Sequence, residues 1–305
     1  MNADRILWRH EGSESADDPK RPVAAPKGFV RTALRHPLRP VVRLLRRRAL
    51  KDNGSLYNLA VTPKRLTLTG TTFIGVTGSC GKSTAIALAE DILTSAGQCV
   101  IGTGRSLSLA ADTILRANAA TKFCIVEAHA GRPGHIGKSL RLLRPLIGVV
   151  TTIGTDHFSN YRSPEAIAQE KGLLMESLPE SGVAILNIDN PLIADMAERT
   201  RARLLTFGRS PEAVLRAVDV SSVWPDRLSM QVTYGGETVR VETKLVGEHW
   251  LTSVLAAIGI GLACGVDLKT CAEIVKRADP VFGRYTVHVR ADGASYVLDS
   301  HKAPY

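Results

Sequence analysis

Gly75-Val-Thr-Gly-Ser-Cys-Gly-Lys-Ser-Thr84 is a glycine-rich turn carrying a lysine and two hydroxyls, set between an apolar run and a helical pattern. Thr72 to Val76 reads as a buried strand, and Ile86, Leu88, Ala89, Ile92 and Leu93 recur at helical spacing across Ala85 to Leu93. The turn therefore opens onto a helix N-terminus, where unpaired N–H groups and the helix dipole favour an anion. Gly78, Ser79, Cys80, Gly81, Lys82, Ser83 and Thr84 form the expected nucleotide-phosphate cradle. Its glycines let backbone N–H groups approach the phosphates, Lys82 reaches the β and γ oxygens, and the Ser83 hydroxyl suits a Mg²⁺ position. In the general pattern G-x-x-x-x-G-K-[ST] the first glycine would fall on Val76; Gly75 is one residue early and Gly78 compensates.

At 305 residues, with 44% hydrophobic and 22% charged residues, the chain has the composition of a soluble globular protein with one large domain or two ordinary ones. Its five cysteines include no C-x-x-C pair, and the N-terminus has no continuous apolar core resembling a signal peptide. A reducing, cytoplasmic setting is expected. Cys80 reads either as a nucleophile or redox sensor, or as a small residue tolerated in a tight turn.

The net charge of +10 is uneven, because residues 1–70 hold 15 Lys/Arg against 6 Asp/Glu. Residues 27–51 carry nine positive and no negative side chains, with Arg31, Arg35, Arg39, Arg43 and Arg47 four apart. Such a stripe suits an anionic membrane surface, such as the inner face of the cell membrane, an acidic partner or a nucleic acid, or else a solvated face of the main domain. Pro37 and Pro40 interrupt any long helix, so a short basic helix is expected from Pro40. Residues 1–26 read as a disordered tail and 27–70 as a basic N-terminal segment.

Beyond the cradle, residues 99–101, 123–126, 146–152, 183–187 and 204–207 read as strands. Helical patterns at 135–143, 164–178 and 191–199 alternate with them. This alternation implies an α/β fold, a doubly wound, mostly parallel sheet of P-loop type with helices on both faces. Around Tyr234-Gly-Gly-Glu237 a small antiparallel β extension is expected, then helices at 249–264 and 268–277 and strands at 285–289 and 296–298. Glu127 ends one parallel strand and Asp156-His157 follow the next, so they are expected on the rim that holds the cradle, where they would share a metal ion bound to the nucleotide.

These residues carry a resemblance to the ATP-binding central domain of the Mur ligases, a group that includes folylpolyglutamate and cyanophycin synthetases. Val76-Thr-Gly-Ser-Cys-Gly-Lys-Ser-Thr84 resembles the family's T-G-x-x-G-K-[ST], and Ile125-Val-Glu-Ala-His-Ala-Gly-Arg-Pro-Gly-His-Ile136 is similar to the V-L-E-x-G-x-x-x-P-G-E-I of the D-alanyl-D-alanine-adding branch. Thr151-Thr-Ile-Gly-Thr-Asp-His157, Glu165 to Lys171, Ala184 to Pro191, Gly247-Glu-His249, Phe282-Gly-Arg284 and Leu298-Asp-Ser300 match later motifs in order. The resemblance implies an ATP-dependent carboxylate-amine ligase: a carboxylate is activated as an acyl phosphate and attacked by an amine to give an amide. It also implies Mg²⁺ on Ser83 and Glu127, a second Mg²⁺ held or supported by His157 and a carbamylated Lys171, and contacts of Asn187, Arg284 and Asp299 with adenine, phosphate and ribose. Lys82, His157 and Lys171 are the expected catalytic residues. The central domain is placed at 71–285, with 286–305 as the start of a C-terminal domain.

Three departures stand out. The family's G-x-H-N-x-x-N reads Gly247-Glu-His-Trp-Leu-Thr-Ser253, so both asparagines are replaced; Trp250 either stacks on the base or fills core. The segment ahead of the cradle is shorter than the domain with which relatives grip UDP, so a UDP-sugar substrate is not expected. The sequence given ends at Tyr305, where the amine-binding domain would begin, so a longer form or a partner supplying that domain is expected. The rival readings are a non-catalytic ATP-binding scaffold tethered to membrane or nucleic acid by residues 27–51, and a P-loop nucleic-acid enzyme.

Overall fold

Strong apolar runs bounded by turns make the strands, and the computed structural model arranges nine of them in one sheet, in the order β2-β3-β1-β4-β5-β6-β7-β8-β9. The structure describes residues 55–104, 108–155 and 158–300, with only the backbone helix for 55–60. The expected tail, most of the basic segment with its short helix, Asp156, His157 and residues 301–305 lie outside the described residues.

Helix α1 (Ser55–Thr67) leads into β1 (Thr72–Thr77), the cradle and α2 (Lys82–Thr94). Then come β2 (Gln98–Gly102), α3 (Leu109–Arg116), β3 (Thr121–Glu127), α4 (His135–Leu143) and β4 (Ile147–Val150). The one-turn α5 (Phe158–Tyr161), α6 (Pro164–Glu176), β5 (Val183–Asn187), α7 (Pro191–Ala194) and β6 (Arg203–Gly208) complete the parallel part. β7 (Leu215–Ser221) adds one more parallel strand, and β8 (Ser229–Tyr234) and β9 (Glu237–Glu242) pair antiparallel beyond it. Gly235 and Gly236 both have positive φ, as a two-residue hairpin turn requires. Helices α8 (Leu251–Ala263) and α9 (Leu268–Arg277) return to the sheet, and β10 (Thr286–Val289) and β11 (Ser295–Leu298) form a separate two-stranded sheet.

The sheet divides the core. On one face α2, α8 and α9 pack Ile86, Ile92, Val254, Ile258 and Val275 against Ile74, Ile125, Ile185 and Phe207. On the other, α4 and α6 bury Ile136, Leu174 and Met175 against Val150, Ala184 and Leu186, while α1 and α3 pack Val61 and Ile114 beside Phe73 and Val126. Helices on both faces match the expected doubly wound α/β sheet with its antiparallel extension.

Some details differ from the sequence reading. α3 was not expected; it spans only eight residues, too short for its apolar spacing to stand out. The helix read at 191–199 is one α turn followed by a 3₁₀ turn over Asp195–Arg199. α1, read as part of a basic segment, is tied to the domain through Arg65. Its guanidinium lies 3.6 Å over the Phe73 ring and donates to the carbonyls of Leu143 (2.9 Å) and Arg144 (3.0 Å) at the end of α4. Those carbonyls have no partner within the helix, so a cation there is favourable.

The N-terminus of α4 is closed by α6. The Glu170 carboxylate, 7% exposed, accepts from Gly134 N (2.9 Å) and Ile136 N (3.0 Å). Replacing Glu170 with alanine strands both N–H groups, each costing roughly 1–3 kcal/mol when left unsatisfied in the interior. Glu170→Ala is expected to lower stability by about 3 kcal/mol, read as a lower urea midpoint at unchanged m-value.

Candidate nucleotide and acyl-activation site

All the parallel strands point their C-terminal ends to one rim, and β1 there lies between β3 and β4. From β1 the chain crosses to β2 on one side, and from β3 it crosses back over β1 to β4 on the other, so a crevice forms beyond β1, where open α/β sheets bind ligands. The cradle fills that crevice. Gly81 takes φ 80° as the N-cap of α2, and Gly78 takes φ 147°. A Cβ on Gly78 would drive into Thr151 Oγ1 and the Thr152 backbone. The loop is stitched to the exit of β4: Ser79 N donates to Thr152 O (2.8 Å), Cys80 N to Thr152 Oγ1 (2.8 Å), and Thr151 Oγ1 to Cys80 O (2.6 Å). Ser253 Oγ, fully buried on α8, donates to Gly81 O (3.1 Å) from the other side.

Lys82 Nζ folds back on the loop, donating to Gly78 O (2.6 Å) and lying 3.8 Å from Glu127 Oε1. The Ser83 hydroxyl donates to Glu127 Oε2 (3.3 Å) and accepts from Arg284 Nη2 (3.3 Å). Glu127, 6% exposed, also accepts from Gly104 N (3.2 Å). Lys171, 2% exposed on α6, donates to Ser79 Oγ (3.1 Å), which itself accepts from Gly154 N (3.0 Å). The structure thus gathers Gly78 to Thr84, Glu127, Lys171 and Arg284 around one loop.

Other expected site residues stand elsewhere. Asn187 is 5% exposed; its amide donates to Thr151 O (2.9 Å) and its carbonyl accepts from Asp189 N (3.2 Å), so it braces the β4 exit beside the threonine that staples the cradle. Asp299 is exposed and neighbours His249, partly offsetting the burial that depresses the imidazole's pKa. His249 touches the rings of Trp250 (4.8 Å between centroids) and Tyr285 (4.6 Å). Trp250, 7% exposed, fills core, the second of its two readings. His157 and Asp156 lie outside the described residues.

The sequence reading missed Thr151 and Thr152 as loop staples, although two hydroxyls directly after a strand were the available signal. Ser253 was noted only as a departure. Too short to act as an asparagine amide would, it holds the cradle itself.

The residues present fit a nucleotide with Mg²⁺. Thr84 Oγ1, on the first turn of α2, is buried without a hydrogen-bond partner, as a hydroxyl awaiting a phosphate oxygen would be. A serine hydroxyl beside a carboxylate is a hard-oxygen pair suited to Mg²⁺, which typically takes one or two protein ligands and completes its shell with phosphates and water. Among the described residues no group of three or more His, Cys, Asp or Glu could hold a metal without such help.

The model of the Mur ligase middle domain matches residues 76–261. The chain belongs to the Mur ligase family. A UDP-N-acetylmuramoyl-tripeptide--D-alanyl-D-alanine ligase of Mycobacterium leprae is 32% identical over 250 residues, covering 77% of this chain and 48% of that protein. A UDP-N-acetylmuramate--L-alanine ligase of Xanthomonas campestris is 33% identical over 208 residues, covering 67% and 42%. Among solved structures, MurF from Acinetobacter baumannii aligns with a TM-score of 0.76 at 21% identity over 82% of this chain and 55% of that one. MurF from Thermotoga maritima in complex with ADP aligns at 0.73 and 20%, covering 82% and 58%. At such identities the solved structures speak for the fold. The chain spans about half the length of the curated relatives it matches.

For this Mur ligase domain, Gly78→Ala is expected to weaken ADP binding at least about tenfold by titration calorimetry, because the new methyl forces the loop off its Thr151 staple while φ 147° disfavours any side chain.

Proposed function

We propose that the chain provides the ATP-binding, carboxylate-activating part of an amide-forming ligase. The observation that carries this reading is the convergence of Lys82, Ser83, Glu127, Lys171 and Arg284 on one glycine-rich loop. A carboxylate oxygen of the substrate attacks the γ-phosphorus of ATP and the bond to ADP breaks, leaving an acyl phosphate. An amine then attacks the acyl carbon, loses a proton and expels inorganic phosphate, so one amide, ADP and phosphate form per ATP.

The side chains divide this work. Lys82 leaves the loop carbonyls for the β and γ oxygens and stabilises charge developing during transfer. Arg284, reaching across from beyond α9, adds a second cation to the same oxygens. Ser83 Oγ and the Glu127 carboxylate would hold a Mg²⁺, which when bound would supply neutralisation of the phosphate charge. Lys171 belongs to the acyl side of the loop. As an ammonium it would repel a second metal ion; as a carbamate it would offer oxygen ligands, and His157 is assigned to the same metal. Asp299 and His249 are assigned to the ribose and base end of the nucleotide.

The relatives' names point to UDP-N-acetylmuramoyl-tripeptide and D-alanyl-D-alanine as a carboxylate and amine to assay, the former against the expectation, from the short segment ahead of the cradle, that no UDP-sugar is used. Amine binding is assigned to a module comparable to the half of those relatives that this chain does not match, on a longer form of the chain or on a partner.

The test is release of ADP and phosphate by the full-length protein, with ¹⁸O passing from the labelled carboxylate into phosphate. Turnover should need both carboxylate and amine, and Lys82→Ala should lower it roughly 10²–10³-fold, as loss of one preorganised charge-stabilising donor does. Absence of ATP binding and of turnover with every acceptor pair tried would overturn the reading.

A further inference from the structure

The edge of the sheet opposite the cradle has a surface that acyl activation does not use. β1, β3, β4, β5 and β6 are parallel neighbours, so their N-terminal ends share this edge. Leu66, one residue before the end of α1, is 57% exposed there; Leu146, just ahead of β4, is 37% exposed, and Leu204, near the start of β6, 40%. Exposed cations stand between them: Lys122 at the start of β3, Arg144 after α4 and Arg203 opening β6.

Capping accounts for part of this charge but not all. Lys122 donates to Ala96 O (2.9 Å), just past the end of α2. The guanidinium groups of Arg144 and Arg203, by contrast, make no ion pair or hydrogen bond among the described residues. Of the acids near this edge, Glu180 pairs with Arg201 (3.2 Å) and Glu176 with Arg199 (2.6 Å), while Glu90 and Asp91 toward the end of α2 are in no ion pair among the described residues. No Asp or Glu occurs at 53–89 or 128–155, the stretches that supply α1, β1, α4 and β4.

We propose that this edge rests on an anionic lipid bilayer surface, with Leu66, Leu146 and Leu204 entering the headgroup region and Lys122, Arg144 and Arg203 facing lipid phosphates. Basic side chains interleaved with exposed aliphatic ones are the composition that interfacial binding rewards. A nucleic acid would use the cations but gain nothing from the leucines, and none of the exposed aromatic side chains lies on this edge to stack on bases. No described helix is long and apolar enough to cross a membrane, so the contact is peripheral. β1 has six residues, about 20 Å at strand rise, so the cradle would face away from the lipid and stay open to soluble substrates.

The test uses the full chain with Arg31, Arg35, Arg39, Arg43 and Arg47 replaced by serine, so that the N-terminal stripe does not mask the edge. Sedimentation with phosphatidylcholine vesicles containing about one-third phosphatidylglycerol is compared with pure phosphatidylcholine. Binding is expected to the anionic vesicles alone. Arg144→Glu with Arg203→Glu should lower the partition coefficient at least about 25-fold, since each cation near such a surface contributes roughly fivefold. Leu66→Ser with Leu146→Ser should weaken it further, with ADP affinity unchanged as the control for folding. Equal binding to neutral vesicles, or partition unaltered in both variants, would overturn the proposal. So would preferential binding of a short nucleic-acid duplex that the arginine variants abolish.

Discussion

The stitching of the glycine-rich loop to the exit of β4 is the constraint on which the site depends. Three hydrogen bonds of 2.6–2.8 Å from Thr151, Thr152, Ser79 and Cys80 hold a loop whose own backbone is in a conformation few residues tolerate. Because Gly78 has no Cβ, Thr151 can lie against it, and because Thr151 lies against it the loop cannot relax. The loop's N–H groups are thereby oriented before any ligand arrives, which removes part of the ordering cost of binding.

Helix α6 works on both sides of this arrangement. On successive residues it presents Glu170, which closes the N-terminus of α4, and Lys171, which reaches Ser79 in the cradle. Both are almost fully buried, and each burial would be costly without its partners. Gly172 follows because the Arg199 guanidinium lies against the helix backbone there, where any Cβ would collide with it. Arg199 is held in turn by Glu176. A run of three residues thus couples the post-β3 loop, the cradle and the 3₁₀ turn after α7.

The C-terminal third of the described chain adds a second wall. Ser253 supports the cradle at Gly81 and Arg284 supports it at Ser83, across sequence separations of 172 and 201 residues. Polar groups that serve the phosphate loop gather on one rim of the sheet, while exposed leucines and arginines without an ion pair among the described residues gather on the opposite edge. Parallel strands make that division available, since every helical crossover returns the chain to the same starting edge.

The sequence alone determined the elements whose physics is local. Gly75 to Thr84 between a strand and a helix specified the cradle, the 3.6- and 2-residue periodicities marked most strands and helices, and the ordered motifs named the family before any contact was known. It also placed Glu127 on the cradle's rim, because residues at the C-terminal ends of parallel strands share a rim, while Lys171 was assigned there only by the family resemblance. What it left undecided was which polar groups pair. Asn187, expected at adenine, braces Thr151 because the strand order puts β5 beside β4, and Ser253, a departure by motif, supports Gly81 because α8 packs on α2. Trp250 goes to the core because its neighbours there are apolar. Such assignments rest on hydrogen bonds between residues far apart in the chain, and only the packed tertiary structure decides which of them come within reach.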